Sequence, residues 1–219
     1  MTEVDDLRRR LAATLPERAA RWLAEAREAV RADAPAIDIV FPVAGRRCGR
    51  GPLPGGPGGW TVDDAARVLL LDALPPGRSV LGDVLSRLYR HGDAAERRGV
   101  LRALGPLDRA GGLGSGAVPL VEDAIRTNDT RLIGAALHDG YAARHLDAAA
   151  FRQAVLKCVF TGIPLGEVTG LADRADPELG RMLADHVRER LAADREVPAD
   201  LWPVLDATGV PQPTWGEPT

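Results

Sequence analysis

The chain has 219 residues, 45% of them hydrophobic, and carries 28 basic against 31 acidic side chains for a net charge of −3. That length and content suffice for one large or two small domains with a sizeable core, and the charge balance provides no global field for nucleic acid. Aromatic residues are only 4%, so the core falls to Ala, Leu and Val, and the scarcity of strand formers points to an all-α fold without significant sheet.

The first residues, MTEVDDLRRR, contain no apolar core of a secretory signal. The longest apolar stretch, ARVLLLDAL, is interrupted by Asp72 and is too short to span a bilayer. Two cysteines 110 positions apart make neither a disulfide framework nor a metal knuckle. A cytoplasmic protein with free thiols, no transmembrane segment and no cofactor or metal is expected.

In chain order, Val4, Leu7, Leu11 and Leu15 form the stripe of a first helix, with Thr2 and Asp5 as its capping box. Pro16 opens a second, with Ala19, Trp22, Leu23, Ala26 and Val30 inward, and Ala34-Pro35 ends it. A short apolar piece at 37–41 completes an N-terminal helical hairpin over 1–44. Residues 45–59, GRRCGRGPLPGGPGG, hold seven glycines and three prolines and read as a loop without helix. Trp60-Thr61-Val62-Asp63-Asp64 restarts helix, and a main domain is expected over 60–207, followed by an irregular tail over 208–219. Its helices are predicted near 61–74, 79–91, 93–104, 116–127, 129–138, 147–161, 176–193 and 198–207. Ser79, Asp93 with Glu96, Ser115, Asp129, Asp147 and Asp176-Pro177 are their caps. The count is eight to ten helices.

The segment Arg97–Leu104 aligns with Arg152–Val159 at a spacing of 55, each after an Asp cap, and points to a HEAT-like or solenoid-like stack. It places Arg102 opposite Lys157, the only lysine in the chain. The alignment gives Lys157 a structural reading, with its stem along apolar neighbours and its charge in solvent or on a carboxylate. The functional reading is a desolvated amine that forms a Schiff base or holds an anion.

Other stretches carry fainter chemistry. Cys158 reads as a small buried hydrophobe, whereas Cys48, between Arg47 and Arg50, reads as an exposed thiol and the likelier reactive one. His138-Asp139 and His145-Leu146-Asp147 bracket Gly140-Tyr141, gathering imidazoles and carboxylates without any metal-ligand spacing. His186 falls on an apolar stripe. Gly111–Gly116 leads into a helix whose N–H groups could hold an anion, although no strand precedes it. In Arg126–Leu132, Asn128 is expected to take the left-handed conformation that ends one helix, and Asp129 to cap the next.

Four stretches together resemble the EboA-domain family. They are Trp60–Arg67, WTVDDAAR; Val121–Leu132, VEDAIRTNDTRL; Phe151–Phe160, FRQAVLKCVF; and Met182–Arg190, MLADHVRER. The resemblance runs through most of residues 20–205. It implies a role in a bacterial gene cluster that moves secondary metabolites or their precursors out of the cytoplasm. Neighbouring products there resemble a prenyltransferase, metal-dependent hydrolases and barrel enzymes. No reaction or catalytic residue comes with it.

The expectation is therefore a non-enzymatic adaptor or metabolite-binding protein. Its partners would be a small metabolite or other proteins of the same cluster, without nucleic acid, and any membrane contact would be peripheral and through a partner. Lys157, Asn128, Asp129, Arg131, His138, Tyr141 and His145 are the candidate lining of one pocket. The alternative is an enzyme on such a metabolite, with Lys157 as nucleophile or general base and His145 assisting.

Overall fold

The computed structural model describes residues 3–75, 78–111 and 113–211, with the backbone alone at 78–80. Among them are thirteen α-helices, and the β pairing recorded is an isolated antiparallel bridge between Pro52 and Thr61. Helix α1 (Glu3–Thr14) and α2 (Glu17–Ala32) are followed by a 3₁₀ turn and α3 (Ile37–Cys48). Next come α4 (Val62–Leu71), α5 (Arg78–His91), α6 (Ala94–Arg109), α7 (Val118–Arg126), α8 (Thr130–Leu137) and α9 (Tyr141–His145). The C-terminal part has α10 (Ala148–Thr161), α11 (Leu171–Arg174), α12 (Pro177–Ala192) and α13 (Leu201–Thr208).

The all-α expectation holds, with more helices than expected. The surplus over ten is α3, where only a short apolar piece was expected, and α9 and α11, too short to carry a periodic stripe and each begun by a glycine in the left-handed region, Gly140 at φ 78° and Gly170 at φ 80°. Helix α3 also runs through Gly45 to Cys48, against the expectation of no helix in 45–59. Gly45 is there because its missing side chain makes room. A Cβ would lie 2.8 Å from Arg50 Nε and 3.5 Å from an Asp63 carboxylate oxygen. Helix α6 likewise continues past 104 through Gly105-Pro106. Pro106 cannot donate to the preceding turn, and beside it the Gly105 N–H donates at 2.6 Å to the buried carboxylate of Asp139.

The expected caps hold at Asp93, Asp129, Asp147 and Asp176, whose carboxylates accept from the N–H groups of Glu96, Arg131, Ala150 and Leu179. A capping box joins Thr61 and Asp64 at the start of α4. Ser115 is not a cap, because it sits inside a 3₁₀ turn and Ala117 precedes α7. Helix α5 begins one residue before Ser79, whose side chain lies outside the described residues, as do Thr2 and the tail from 212.

Helix α4 is the centre. All ten of its residues are buried, and α1, α2, α3 and α6 pack around it. Helix α6 then meets α5, α8 and α9; α8 meets α7 and α10; and α10 leads to α12 and α13. One cluster of buried side chains extends from Leu7 to Leu205. A regular solenoid, in which each unit touches only its neighbours, is not established by this enclosure of α4. No helix among the described residues is long and apolar enough to cross a membrane.

Candidate functional site

Complete burial of α4 takes three charged side chains out of water. Asp63, Asp64 and Arg67 are each at most 1% exposed. Arg67 Nη1 donates to Asp63 Oδ2 at 2.5 Å, and its guanidinium lies 5.5 Å from the centre of the Phe41 ring. Gly99 admits it, since a Cβ there would stand 2.6 Å from Arg67 Cδ.

Asp64 is shared. One oxygen accepts the Thr61 N–H at 3.2 Å, and Arg98 Nε reaches both oxygens at 2.9 and 3.0 Å. Arg102 Nε lies 3.2 Å from the same carboxylate without hydrogen-bond geometry. The Arg102 guanidinium carbon lies over the Trp60 ring, 4.7 Å from its centre, and its Nη2 donates to Gly59 O at 2.8 Å. Two guanidinium groups thus face one carboxylate in a wall that is nearly dry. Arg102 Nε and Nη1 are buried without a hydrogen-bond partner. Burial disfavours the charge on Arg102, and Asp64 supports it.

This wall bounds a cleft of about 430 Å³, within the size range of small-molecule sites. The end of the glycine-rich loop and Thr61 form one side, with Arg98 and Arg102 of α6 beside them. Thr130, Arg131, Gly134, Ala135 and His138 face them from α8, and Thr161 to Pro164 with Glu167 close the end. Arg131 is held by Asp129, Nη2 to Oδ2 at 2.8 Å, and that bond keeps the Asp129 pKa low. Burial, and then the charge of Arg102, push the His138 pKa below its ordinary value, favouring neutral imidazole at neutral pH.

Of the seven residues expected in one pocket, Arg131 and His138 line this cleft and the other five do not. Lys157 Nζ donates to Asn128 Oδ1 at 2.9 Å, an exposed contact between α10 and the α7–α8 corner. Asn128 does not have the left-handed conformation. Thr127 ends α7 in extended backbone at φ −73°, with its hydroxyl on Ala124 O at 2.7 Å, which leaves the Asn128 amide to meet Lys157. The repeat counterparts therefore differ, Arg102 being buried and Lys157 half-buried.

Tyr141 is fully buried, its hydroxyl donating to Gly114 O at 2.7 Å and accepting from the Ala117 N–H at 3.0 Å. The His145 ring lies tilted against Tyr141, 4.5 Å between centres, and shares Asp108 with Arg144. Burial opposes ionisation of Asp108, but the bonds from His145 and Arg144 outweigh it and lower its pKa. Asp108 also accepts the Gly114 N–H at 3.1 Å, so protein groups already take up donors of the Gly111–Gly116 segment. His186 is half-buried, edge-on to Phe160 at 5.1 Å.

Both thiols are buried, which corrects the expectation for Cys48. Burial pushes its pKa up to about 11 and that of Cys158 to about 12. Cys48 closes α3 against the core instead of sitting in the loop. Sequence reasoning missed the arginine wall as well. Its signal was present in RRGVLRALG, where Arg98 and Arg102 are four apart in an otherwise apolar turn sequence, and in the Asp63/Arg67 pair at the same spacing.

Residues 54–206 match the family model described as "Metabolite traffic protein EboA". The chain belongs to the EboA family. The matched span contains every residue that lines the cleft. No curated protein and no solved structure matches the chain. The family name assigns EboA proteins to metabolite traffic, and the resemblance in WTVDDAAR falls on the helix start that builds the arginine wall.

Proposed function

We propose that this EboA protein is a non-enzymatic metabolite-binding member of its traffic system and that the α4–α6–α8–α10 cleft holds the metabolite. The observation that carries the reading is the guanidinium wall. Arg98 and Arg102 are built into the cleft at 12% and 7% side-chain exposure, at the cost of desolvating both charges. Surface ion pairs do not require such burial, whereas a recognition surface gains from polar groups fixed in place before the ligand arrives.

Arg131 and His138 are the two sequence candidates that contact the bound molecule in this reading. The enzymatic alternative is less well supported. Lys157 is bonded to Asn128 and His145 to Asp108, and neither lines the cleft. A nucleophile and its base need to reach one reacting atom together.

The test is native mass spectrometry of the protein isolated from its own cells, followed by identification of the released compound. A small molecule bound one to one, recovered chemically unchanged and lost from the Arg131→Ala, His138→Ala double variant, is the expected result. Chemical conversion of that compound on incubation with the protein would refute the non-enzymatic reading.

A further inference from the structure

We propose that the outer face of α3, with the arginines at its C-terminal end, rests on an anionic lipid bilayer. This is a direct membrane contact, separate from the cleft and independent of the metabolite reading. The face lies outside residues 54–206, the part matched to the EboA family.

The apolar part comes from the register of α3. Ile37, Phe41, Ala44 and Cys48 recur at helical spacing and are buried against the core. At 3.6 residues per turn, Ile39 and Arg46 then fall on the opposite side, with Pro42 and Val43 flanking them. The outward face of a solvated helix is ordinarily polar. Here Ile39 is 74% exposed, the most exposed large hydrophobic side chain among the described residues, and Pro42 and Val43 are half-buried beside it.

Charge is the second observation. Residues 39–62 contain no Asp or Glu and hold Arg46, Arg47 and Arg50, in a chain whose net charge is −3. All three arginines are exposed, and among the described residues no ion pair or hydrogen bond holds their side chains. Other exposed arginines are paired, Arg8 with Asp5, Arg21 with Glu17 and Arg188 with Asp185. The carboxylate of α3 itself, Asp38, lies about 100° round the helix from Ile39 and is paired with Arg87 of α5. Asp63, beneath Gly45, is buried and bonded to Arg67. The face is therefore apolar along α3 and cationic at its end.

An acidic protein would also be attracted to these arginines, but the observations favour a bilayer. Recognition of a protein carboxylate gains from a guanidinium fixed beforehand, as Arg98 and Arg102 are, whereas nothing fixes Arg46, Arg47 and Arg50. Lipid headgroups spread negative charge over a whole plane and require no register. A helix ridge led by a branched aliphatic side chain enters the headgroup boundary without a matching groove, and apolar insertion with cationic attraction supplies two signals for attachment.

The experiment is flotation of the full chain with vesicles of phosphatidylcholine alone and of phosphatidylcholine with phosphatidylserine. Binding is expected to the anionic vesicles only, with release at about 1 M salt, where the screening length falls to about 3 Å. Arg46→Gln, Arg47→Gln and Arg50→Gln together should weaken it roughly hundredfold, and Ile39→Asn about tenfold or more. The charge-matched control is Arg181→Gln, Arg188→Gln and Arg195→Gln, three exposed arginines on α12 and just beyond it; it should bind like the unaltered chain. Because Cys48 and Cys158 are buried, Ile39→Cys supplies one accessible thiol, and an environment-sensitive fluorophore there should shift to the blue on anionic vesicles.

No association with anionic vesicles would overturn the inference. Equal weakening in the α12 control would overturn it too, by making the attraction a diffuse property of the chain. An unmoved fluorophore would place Ile39 outside the bilayer and overturn the assignment to α3. Binding of soluble polyglutamate in place of anionic vesicles would give the face to an acidic protein instead. None of these results bears on whether the cleft holds a metabolite.

Discussion

Replacing Asp64 by Asn leaves two guanidinium groups in the cleft wall without their counter-ion. Asp64 is fully buried, Arg98 is 12% and Arg102 7% exposed at the side chain, and the same carboxylate accepts the Thr61 N–H that caps α4. Removing one partner from a buried ion pair costs about 3–5 kcal/mol, because the remaining charge stays desolvated. An N-cap interaction is worth about 1 kcal/mol, but it belongs to the same network and does not simply add. We therefore expect a loss of about 4 kcal/mol, a large fraction of the 5–15 kcal/mol that typically holds a domain. For a chain of this size that corresponds to a drop in melting temperature of roughly 10 °C. Urea unfolding followed by far-UV circular dichroism measures it, with Asp38→Asn as the control. Asp38 pairs with Arg87 across the surface at 46% and 43% exposure, where such pairs contribute about 0–1 kcal/mol. If Asp64→Asn is no more damaging than Asp38→Asn, the wall is wet, and the reasoning that sets two desolvated guanidinium groups on one buried carboxylate is refuted.

Asp139 should make stability fall as pH rises. Burial raises its pKa from the ordinary 3.8 to about 7, against the opposing N–H groups of Tyr141 and Gly105. Between those values the folded chain holds a proton that the unfolded chain has lost, so stability present at pH 4 declines through pH 7 by on the order of 4 kcal/mol. Denaturant titrations at several pH values read this, and an unchanged pH slope in Asp139→Asn would contradict it. Arg67→Met alone should destabilise by about 3–5 kcal/mol by stranding Asp63, whereas Asp63→Leu with Arg67→Met should recover most of the loss, a non-additivity that a double-mutant cycle measures. Neither cysteine should react with a thiol reagent at pH 8 in the folded protein, and both should react in denaturant; labelling of native Cys48 would show that its burial is wrong. Gly180→Ala should destabilise the α12–α13 contact by about 1–3 kcal/mol, because a Cβ would stand 2.3 Å from Thr208 Oγ1; the shift in urea midpoint is the readout.

Helix starts were the most legible feature of the sequence, because a cap is a local event. An Asp whose carboxylate takes an N–H two or three residues on needs no distant partner, and Asp93, Asp129, Asp147 and Asp176 all behave so. Failures occurred where a distant group supplied what the local sequence lacks. Gly105-Pro106 reads as a helix end, yet the helix continues, and Asp139, 34 residues away, accepts the Gly105 N–H. Gly45 reads as a loop residue until Arg50 and Asp63 occupy the space its side chain would fill. The Cys48 reading failed for the same reason, since extension of α3 carries the thiol into the core.

The candidate site failed differently. Sequence proximity grouped His138, Tyr141 and His145, but α9 is a single short turn whose tyrosine faces inward and whose histidine pairs with Asp108. Charged residues on amphipathic helices are ordinarily placed in solvent, and that habit hides Asp64, Arg98 and Arg102. The warning lay in their neighbours. Within VDDAARVLLL every other side chain is apolar or alanine, so no polar face exists for the charges to occupy. A charged residue on a helix without a polar face must find its counter-charge inside, and α6 provides it through Arg98 and Arg102 at i and i+4. Two arginines answer one aspartate there, in the wall of a cleft, and that connects the packing of α4 to the metabolite this EboA protein is proposed to carry.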